Sequence, residues 1–308
     1  MSKLIVLGSV NADHVLQVPS FPRPGETLHG HNYQVIPGGK GANQAVAASR
    51  LKADIGFIAS IGDDAFGKRI LEQYADDGID ISGISVQTGS PTGMAMIQVS
   101  GTGENSICLS AEANTGLTSE VVDIQHEKIS HAECLLMQLE TPIDGVVSAA
   151  GLASMSGTAV VLNPAPARTL PDELLTCIDI ITPNETEAEQ LTGITVSDET
   201  SAASAASYLH NKGIGTVLIT LGANGVYASQ QGQGKIIPGF SVDVVDTTAA
   251  GDTFNGALVT GLIEGMDFDK AVLFANAAAA ISVTRLGAQT SIPTRDEVEA
   301  FLSQHADQ

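Results

Sequence analysis

The sequence predicts an α/β protein: a doubly wound, mostly parallel sheet flanked by helices, with a small β-sheet lid projecting from it. Three observations predict this. From residue 55 onward, short apolar runs alternate with helical patterns, the rhythm of crossover units in a parallel sheet. Four short alternating segments, within about 13–37 and 93–110, fall out of phase with that rhythm. Polar residues recur just after the apolar runs, at Asn11, Asp13, Glu140, Asn184, Glu187 and Thr220. Open α/β sheets gather ligand-binding groups at that edge. No repeat, low-complexity tract or linker divides the 308 residues, so a single domain over 1–308 is expected.

Residues 1–7 read as a buried strand ending in Gly8-Ser9-Val10-Asn11-Ala12-Asp13. That turn lacks the GxGxxG spacing of a dinucleotide fingerprint, which disfavours an NAD-dependent oxidoreductase. Val15–Val18 and His31–Ile36 alternate on either side of a Pro-rich turn, and Met94–Ser100 and Asn105–Leu109 flank Gly101-Thr102-Gly103-Glu104 as a hairpin. These four strands make the lid, whose exposed face invites a homodimer. Pro37-Gly38-Gly39-Lys40-Gly41-Ala42-Asn43-Gln44 opens a helix to about Leu51. Its adjacent glycines permit close backbone approach to a ligand, although the run is not a P-loop frame.

Strand Gly56–Ser60 then precedes helix Phe66–Asp77, and strand Cys134–Leu139 ends in Glu140 before helix Ile143–Ser154. Strands Thr158–Leu162, Ile178–Thr182 and Thr216–Thr220 follow, the second opening a helix at Asn184-Glu185-Thr186-Glu187. Gly225–Ser229 and Lys235–Pro238 read as an antiparallel pair at one sheet edge. Two helices, Gly251–Ile263 and Asp267–Val283, close the chain, both apolar on nearly every face and therefore buried. Asn276 interrupts the second, as a satisfied core polar group or as a ligand contact.

The chain carries 14 Lys+Arg against 35 Asp+Glu, a net charge of −21, which argues against nucleic acid and anionic membranes as partners. A small phosphorylated ligand is still compatible, because backbone amides, a metal ion and one or two cations suffice locally. Cys108, Cys134 and Cys177 are widely spaced and form no CxxC, so neither disulfides nor a zinc site is expected. The chain starts at once with a strand-like run, and no apolar segment is long enough to span a membrane. A soluble protein of the reducing cytoplasm is the expectation.

Asp246-Thr247-Thr248-Ala249-Ala250-Gly251-Asp252-Thr253-Phe254-Asn255-Gly256 joins a strand-like run to a helix through small residues, with an acid at each end of the turn. Small side chains leave backbone N–H groups facing outward at a helix start, where the dipole favours an anion. Asp252 reads as a general base and the turn before it as a cradle for charge developing on a phosphoryl group. An ordinary Asp near a helix N-terminus is the competing reading. Phosphoryl transfer asks for positioning, charge neutralisation and a base near the attacking hydroxyl. Asn11, Asp13, Lys40, Asn43 and Glu140 offer polar groups for hydroxyls, and Asn184 with Glu187 adds a carboxamide and a carboxylate.

Several of these segments, in this order, resemble the ribokinase family of carbohydrate kinases over essentially the whole chain. They are Gly8–Asp13, Pro22-Arg23-Pro24-Gly25-Glu26-Thr27, Gly38–Ala45, Ile61-Gly62-Asp63-Asp64, Asn184–Glu187 and Asp246–Asp252. The resemblance implies transfer of the γ-phosphoryl group of ATP to the 5-hydroxyl of D-ribose. It implies a sugar site of Asn11, Asp13, Gly39, Lys40, Asn43 and Glu140, with Asp252 as base and Ala249, Ala250 and Gly251 as anion hole. Asn184 and Glu187 would serve the Mg²⁺–phosphate region. Thr220, Leu221, Gly222, Ala223, Asn224, Gly225, Gly251 and Asn276 would serve the nucleotide. A K⁺ site is implied at Asp246, Thr248, Ser282, Arg285, Gly287 and Ser291, mostly through carbonyls. From the residues alone, Arg285-Leu286-Gly287-Ala288 is a helix end with a Gly stop. Many members of the family outside the ribokinases carry Gly where this chain has Ala249, and an Ala is expected there with φ below zero.

Within that class a sister kinase for 2-deoxyribose, another pentose or a nucleoside is the alternative. Asp13 and Glu140 favour a hydroxyl-rich sugar, and no aromatic cluster near the lid is there to stack a base, Tyr33 being the only aromatic in the nearby strands. A non-catalytic sugar or nucleotide binder would be expected to lose the base or the cradle, and both Asp252 and Gly251 are present.

Overall fold

The computed structural model describes residues 2–305, so Met1, placed above in the first strand, lies outside them. The strands are β1 (Leu4–Leu7), β2 (Asn11–Val18), β3 (His31–Gly38), β4 (Ile55–Gly62), β5 (Asp80–Gln87), β6 (Gly93–Ser100), β7 (Asn105–Ser110), β8 (Cys134–Met137), β9 (Ala159–Leu162), β10 (Ile180–Ile181), β11 (Thr216–Thr220), β12 (Val226–Gln230) and β13 (Gln233–Ile237). One sheet runs β13-β12-β11-β10-β9-β8-β1-β4-β5 and a second runs β3-β2-β6-β7. The large sheet is parallel from β11 to β5 and antiparallel at β11–β12 and β12–β13.

Period-two alternation in β1 explains the two-faced core. Leu4 and Val6 pack in one apolar cluster, with α1 (Lys40–Arg50) and α2 (Ala65–Asp76). Ile5 and Leu7 pack in another, with α5 (Ile143–Ser156) and α8 (Glu199–His210). A strand buried on both faces reads as a continuous apolar run, which is why Leu-Ile-Val-Leu shows no alternation in sequence. Strand order reverses at β1, where the chain goes out to β4 and β5 and returns on the other side at β8. The carboxyl ends of β1 and β8 therefore flank a topological switch point, the place where such sheets open a crevice.

α9 (Ala250–Ile263) and α10 (Phe268–Ser282) are buried along most of their length, as expected for helices with no polar face. α9 also packs on α1 through Gly256, where a Cβ would come within 2.6 Å of Ala47 Cβ. α1 in turn sits on the turn after β1, since a Cβ on Gly41 would lie 2.5 Å from the Gly8 carbonyl carbon.

The structure corrects several expected elements. β2 begins at Asn11 rather than Val15, so Asn11 and Asp13 belong to the lid's first strand. β5 was not anticipated, because Asp-Ile-Ser-Gly-Ile-Ser-Val-Gln is an edge strand paired only with β4 and too polar to read as core. β9 and β10 are shorter than the apolar runs that contain them. The run before Asp246 forms no strand, and residues 238–249 are a loop. A third helix, α11 (Arg295–Gln304), follows α10; a Thr294–Glu297 capping box starts it. Among the described residues no helix is long and apolar enough to cross a membrane, and Cys108, Cys134 and Cys177 are free thiols.

Candidate active site

Four adjacent parallel strands deliver their following residues to one edge: Glu140 after β8, Asn163 after β9, Thr182 after β10, and Thr220 ending β11. An isolated bridge sets Asn184 beside Thr220. Opposite them stands the first turn of α9, and a polar cavity of ≈190 Å³ lies between. Its walls include Lys40, Asn163, Asn184, Glu187, Thr220, Gly251, Asp252 and Asn255. A larger groove of ≈890 Å³ lies elsewhere, between β13, α10 and α11. Its Lys235, Lys270 and Arg295 are paired with acids, among them its own carboxylates Asp269 and Glu299, so the smaller cavity is the candidate for the chemistry.

Backbone geometry makes the cradle. The N–H of Ala250 is used by Thr247 O at 3.2 Å, while Thr253 N and Oγ1 donate to Ala249 O at 2.8 and 2.9 Å. Among the described residues the N–H groups of Gly251 and Asp252 meet no acceptor. Two free amides at the start of a 14-residue helix are a ready anion site. The expectation of φ below zero at Ala249 is overturned: φ is 61° and ψ is 14°, a left-handed residue. Asp246 clamps Thr248 just before it, through Thr248 N (2.9 Å) and Oγ1 (2.6 Å), and the helix holds its carbonyl just after. The turn thus has no freedom to relax. Ala249→Gly is expected to raise thermal stability by up to about 1 kcal/mol with turnover retained, because a left-handed L-residue costs that much. A lower unfolding midpoint would show that the turn carries no strain.

Asp252 is buried and faces two carboxamides: Asn43 Nδ2 donates to Oδ2 at 2.9 Å and Gln44 Nε2 to Oδ1 at 3.0 Å. Asn43 Oδ1 is a buried acceptor without a donor, a vacancy that suits a substrate hydroxyl. Glu140 Oε2 accepts from Ser9 Oγ at 2.6 Å and from Lys40 N at 3.1 Å, which fixes the start of α1. Gly39, at φ 91°, passes so close to β2 that a Cβ would meet Asn11 N at 2.8 Å. Asn114 Nδ2 donates to Asn11 Oδ1 at 2.9 Å and so orients its amide.

Burial pushes the Asp13 carboxyl up to about 7, reinforced by the charges of Glu140 and Asp252. No protein hydrogen bond contributes to that shift, and the group lies over Gly38, whose hypothetical Cβ would be 2.0 Å from Oδ2. Burial works against the Lys40 ammonium, yet Asp252, Glu140 and Glu187 outweigh it and hold its pKa above the ordinary value. Glu187 is raised, by burial first and by Asp252, with the Asn184 N–H and Lys40 offsetting part of the shift.

Asn184 and Glu187 form the capping box of α7 (Glu185–Thr192): Glu187 N donates to Asn184 Oδ1 at 2.8 Å and Asn184 N to Glu187 Oε2 at 2.9 Å. The Asn-x-x-Glu spacing therefore has a folding role as well as a place in the cavity wall. Of the residues assigned to the nucleotide, Asn184, Glu187, Thr220 and Gly251 line the cavity; Leu221, Gly222, Ala223, Asn224, Gly225 and Asn276 do not. Leu221–Gly225 make a tight turn closed by Leu221 N donating to Gly225 O at 2.8 Å. Asn276 Nδ2 donates to Pro238 O at 3.0 Å, so its buried amide pins the end of β13.

The Asp246 carboxyl is opposed by burial but held below its ordinary value by hydrogen bonds from Thr248 and Gly287. Gly287 N donates to Asp246 Oδ2 at 2.9 Å, and Val245 N and Asp246 N donate to Val283 O. Asp246, Thr248, Arg285 and Gly287 are thus gathered in one place, behind the cradle. The Arg285 side chain turns away to Glu297, and Ser282 and Ser291 are held within their own turns. Ser9, Gln44, Asn114, Gln138 and Asn163 were not among the expected site residues. Asn163 carried a usable signal, a polar residue directly after a parallel strand.

A model of pfkB family carbohydrate kinases matches residues 1–295. Ribokinase of Haemophilus influenzae is 58% identical, covering 98% of this chain and 99% of that protein. Ribokinase of Staphylococcus aureus is 45% identical, covering 96% and 98%. Among solved structures, Arabidopsis thaliana ribokinase complexed with ribose and ATP superposes with a TM-score of 0.92 at 34% identity, over 98% of each chain. Thermotoga maritima ribokinase gives 0.90 at 39% identity, over 98% and 100%. With the family model matched over residues 1–295 and the fold shared across nearly the whole chain, the chain belongs to the pfkB family of carbohydrate kinases.

Proposed function

We propose that this kinase transfers the γ-phosphoryl group of ATP to the 5-hydroxyl of D-ribose, giving ribose 5-phosphate and ADP. The observation that carries the reading is the Asp252 carboxylate on a turn whose Gly251 and Asp252 amides are both unpaired, next to Asn43 and its unpaired acceptor. The similarity to ribokinases, one of them solved with ribose and ATP, supports the choice of substrates.

In this reading Asn11, Asp13, Gly39, Lys40, Asn43 and Glu140 hold the sugar. Asp252 takes the proton of the 5-hydroxyl as its oxygen bonds to phosphorus, and the bond to the departing ADP breaks. The Gly251 and Asp252 amides, in the turn begun by Ala249 and Ala250, stabilise the equatorial charge, and Lys40 neutralises it from the other side. Asn184, Glu187, Thr220, Leu221–Gly225 and Asn276 form the nucleotide side. Among the described residues no three His, Cys, Asp or Glu cluster as a metal cage. That suits Mg²⁺, which keeps most of its waters and takes one or two carboxylates plus phosphate. Glu187 with Asn184 would hold it, and it would neutralise phosphate charge. The carbonyls of Thr248, Arg285 and Gly287 accept no backbone hydrogen bond among the described residues, so with Asp246 they suit K⁺. Ser282 and Ser291 would complete that set, and the ion would fix the cradle's loop.

ADP release over a panel of sugars, in KCl and in NaCl, tests both parts. Ribose is expected to lead the panel and KCl to exceed NaCl several-fold. Preference for 2-deoxyribose or a nucleoside would replace the substrate, and equal rates in the two salts would remove the cation. Tyr33, Met96, Ile107 and Leu109 expose apolar surface on the lid, which supports a homodimer through that sheet. A solution mass of one chain, 31.6 kDa, would remove it.

A further inference from the structure

We propose that Gln44 is the positioning residue of Asp252, fixing one carboxylate oxygen so that the other faces the cleft. The inference rests on Asp252 being the base. Gln44 is fully buried, at 0% exposure, on the turn of α1 that Gly256 lets approach α9. Its Nε2 donates to Asp252 Oδ1 at 3.0 Å and to Asn163 Oδ1 at 3.1 Å, and its Oε1 accepts from Gln138 Nε2 at 2.6 Å. This amide has one workable orientation. A carboxylate can only accept, so Gln44 must turn its N–H groups toward Asp252, leaving its oxygen for the donor on Gln138. The opposite rotamer would put three acceptor oxygens together and strand the Gln138 donor.

The wiring continues beyond Gln44. Asn163 Nδ2 donates to Thr182 O at 3.0 Å, Thr182 Oγ1 to Asn255 Oδ1 at 2.6 Å, and Asn255 Nδ2 to Gly251 O at 2.8 Å. A single polar network therefore leaves the side chain of the base and returns to the peptide of the cradle. It is anchored on Gln138, Asn163 and Thr182, the residues following β8, β9 and β10 at the edge of the parallel sheet. Asn43 also donates to Asp252, but it carries an unpaired oxygen suited to substrate. Gln44 has no spare group and no exposure. It is the donor that stays with the base when the sugar enters. Supporting hydrogen bonds of this kind hold reacting groups within the narrow geometry that transfer requires.

The test is Gln44→Met, which keeps the length and removes the donors. Hydrogen bonds to charged groups are worth enough that kcat is expected to fall about 10–100-fold, with KM for ribose and ATP within about threefold of wild type. In an Asp252→Asn background the same change is expected to alter the residual rate by less than about threefold, because residues acting as a unit are not additive. An equal loss in both backgrounds would make Gln44 core glue only and overturn the proposal. Unchanged kcat in Gln44→Met, with Asp252→Asn inactive, would overturn it while leaving the base assignment intact. An active Asp252→Asn would sink the base assignment itself. Should Gln44→Met fail to fold, Gln138→Met frees the Gln44 amide without removing it. The same kcat-only loss, absent in the Asp252→Asn background, is expected there, and an additive loss again overturns the proposal.

Discussion

Asp252→Asn is expected to lower kcat by about 10²–10⁴-fold while ribose and nucleotide still bind, the loss typical of removing a positioned base. The substitution keeps the volume of the side chain and its place at the first turn of α9. It removes the capacity to take a proton, since a carboxamide nitrogen is not a base at neutral pH. One new amide group must also face Asn43 Nδ2 or Gln44 Nε2, so a donor–donor contact replaces a hydrogen bond. Calorimetric titration of ribose and a nucleotide analogue, beside coupled ADP release, separates the chemical loss from a binding loss. Near-normal turnover with intact binding would take Asp252 out of the chemical step.

Asp13→Asn is expected to act in opposite directions on stability and on binding. Burial, then Glu140 and Asp252, raise the Asp13 carboxyl from 3.8 to about 7 in the folded chain. Between those values the folded protein keeps a proton that the unfolded chain has released. The unfolded state binds fewer protons there, so stability falls as pH rises through the window and is flat above it. About three units correspond to roughly 4 kcal/mol lost above pH 7, as an upper value for the ligand-free protein. Asn carries no such charge. The ligand-free variant should therefore unfold at a higher temperature than wild type at pH 8 and at a similar one near pH 4.5. Ribose KM should rise at least about 30-fold through loss of charge-assisted bonds to hydroxyls. No gain in unfolding temperature at pH 8 would mean that Asp13 is not strained by its neighbours.

Sequence patterns exposed whatever depends on near neighbours in the chain. The parallel sheet follows from runs such as Leu4–Leu7 and Thr216–Thr220, and the candidate base from one acid at a helix start. The pairings across long separations did not show. Gln44 and Asp252 are 208 residues apart, and a glutamine inside a helix pattern gives no sign of which helix it will face. Asn184 and Glu187 were legible as a spacing but not as a capping box, because one spacing serves a cap and a cavity wall alike. The left-handed Ala249 was misjudged for a physical reason. Local preference was taken to decide its backbone, while Asp246 and Thr253, on either side, decide it instead. β5 and α11 were passed over because an edge strand and an exposed capped helix bury too little to leave a strong apolar period.

Gly8, Gly41 and Gly256 let a strand end and two helices meet with no side chain between them. None of these glycines has a side chain to offer a substrate, yet they fix how far Asn43 and Gln44 stand from Asp252. For anyone diversifying the enzyme, this makes the junction a closed region: added bulk there moves the reacting groups apart and is paid in rate. Altered sugar preference is expected to be found in the small sheet instead, where β2 carries Asn11 and Asp13 and a changed residue leaves that junction in place.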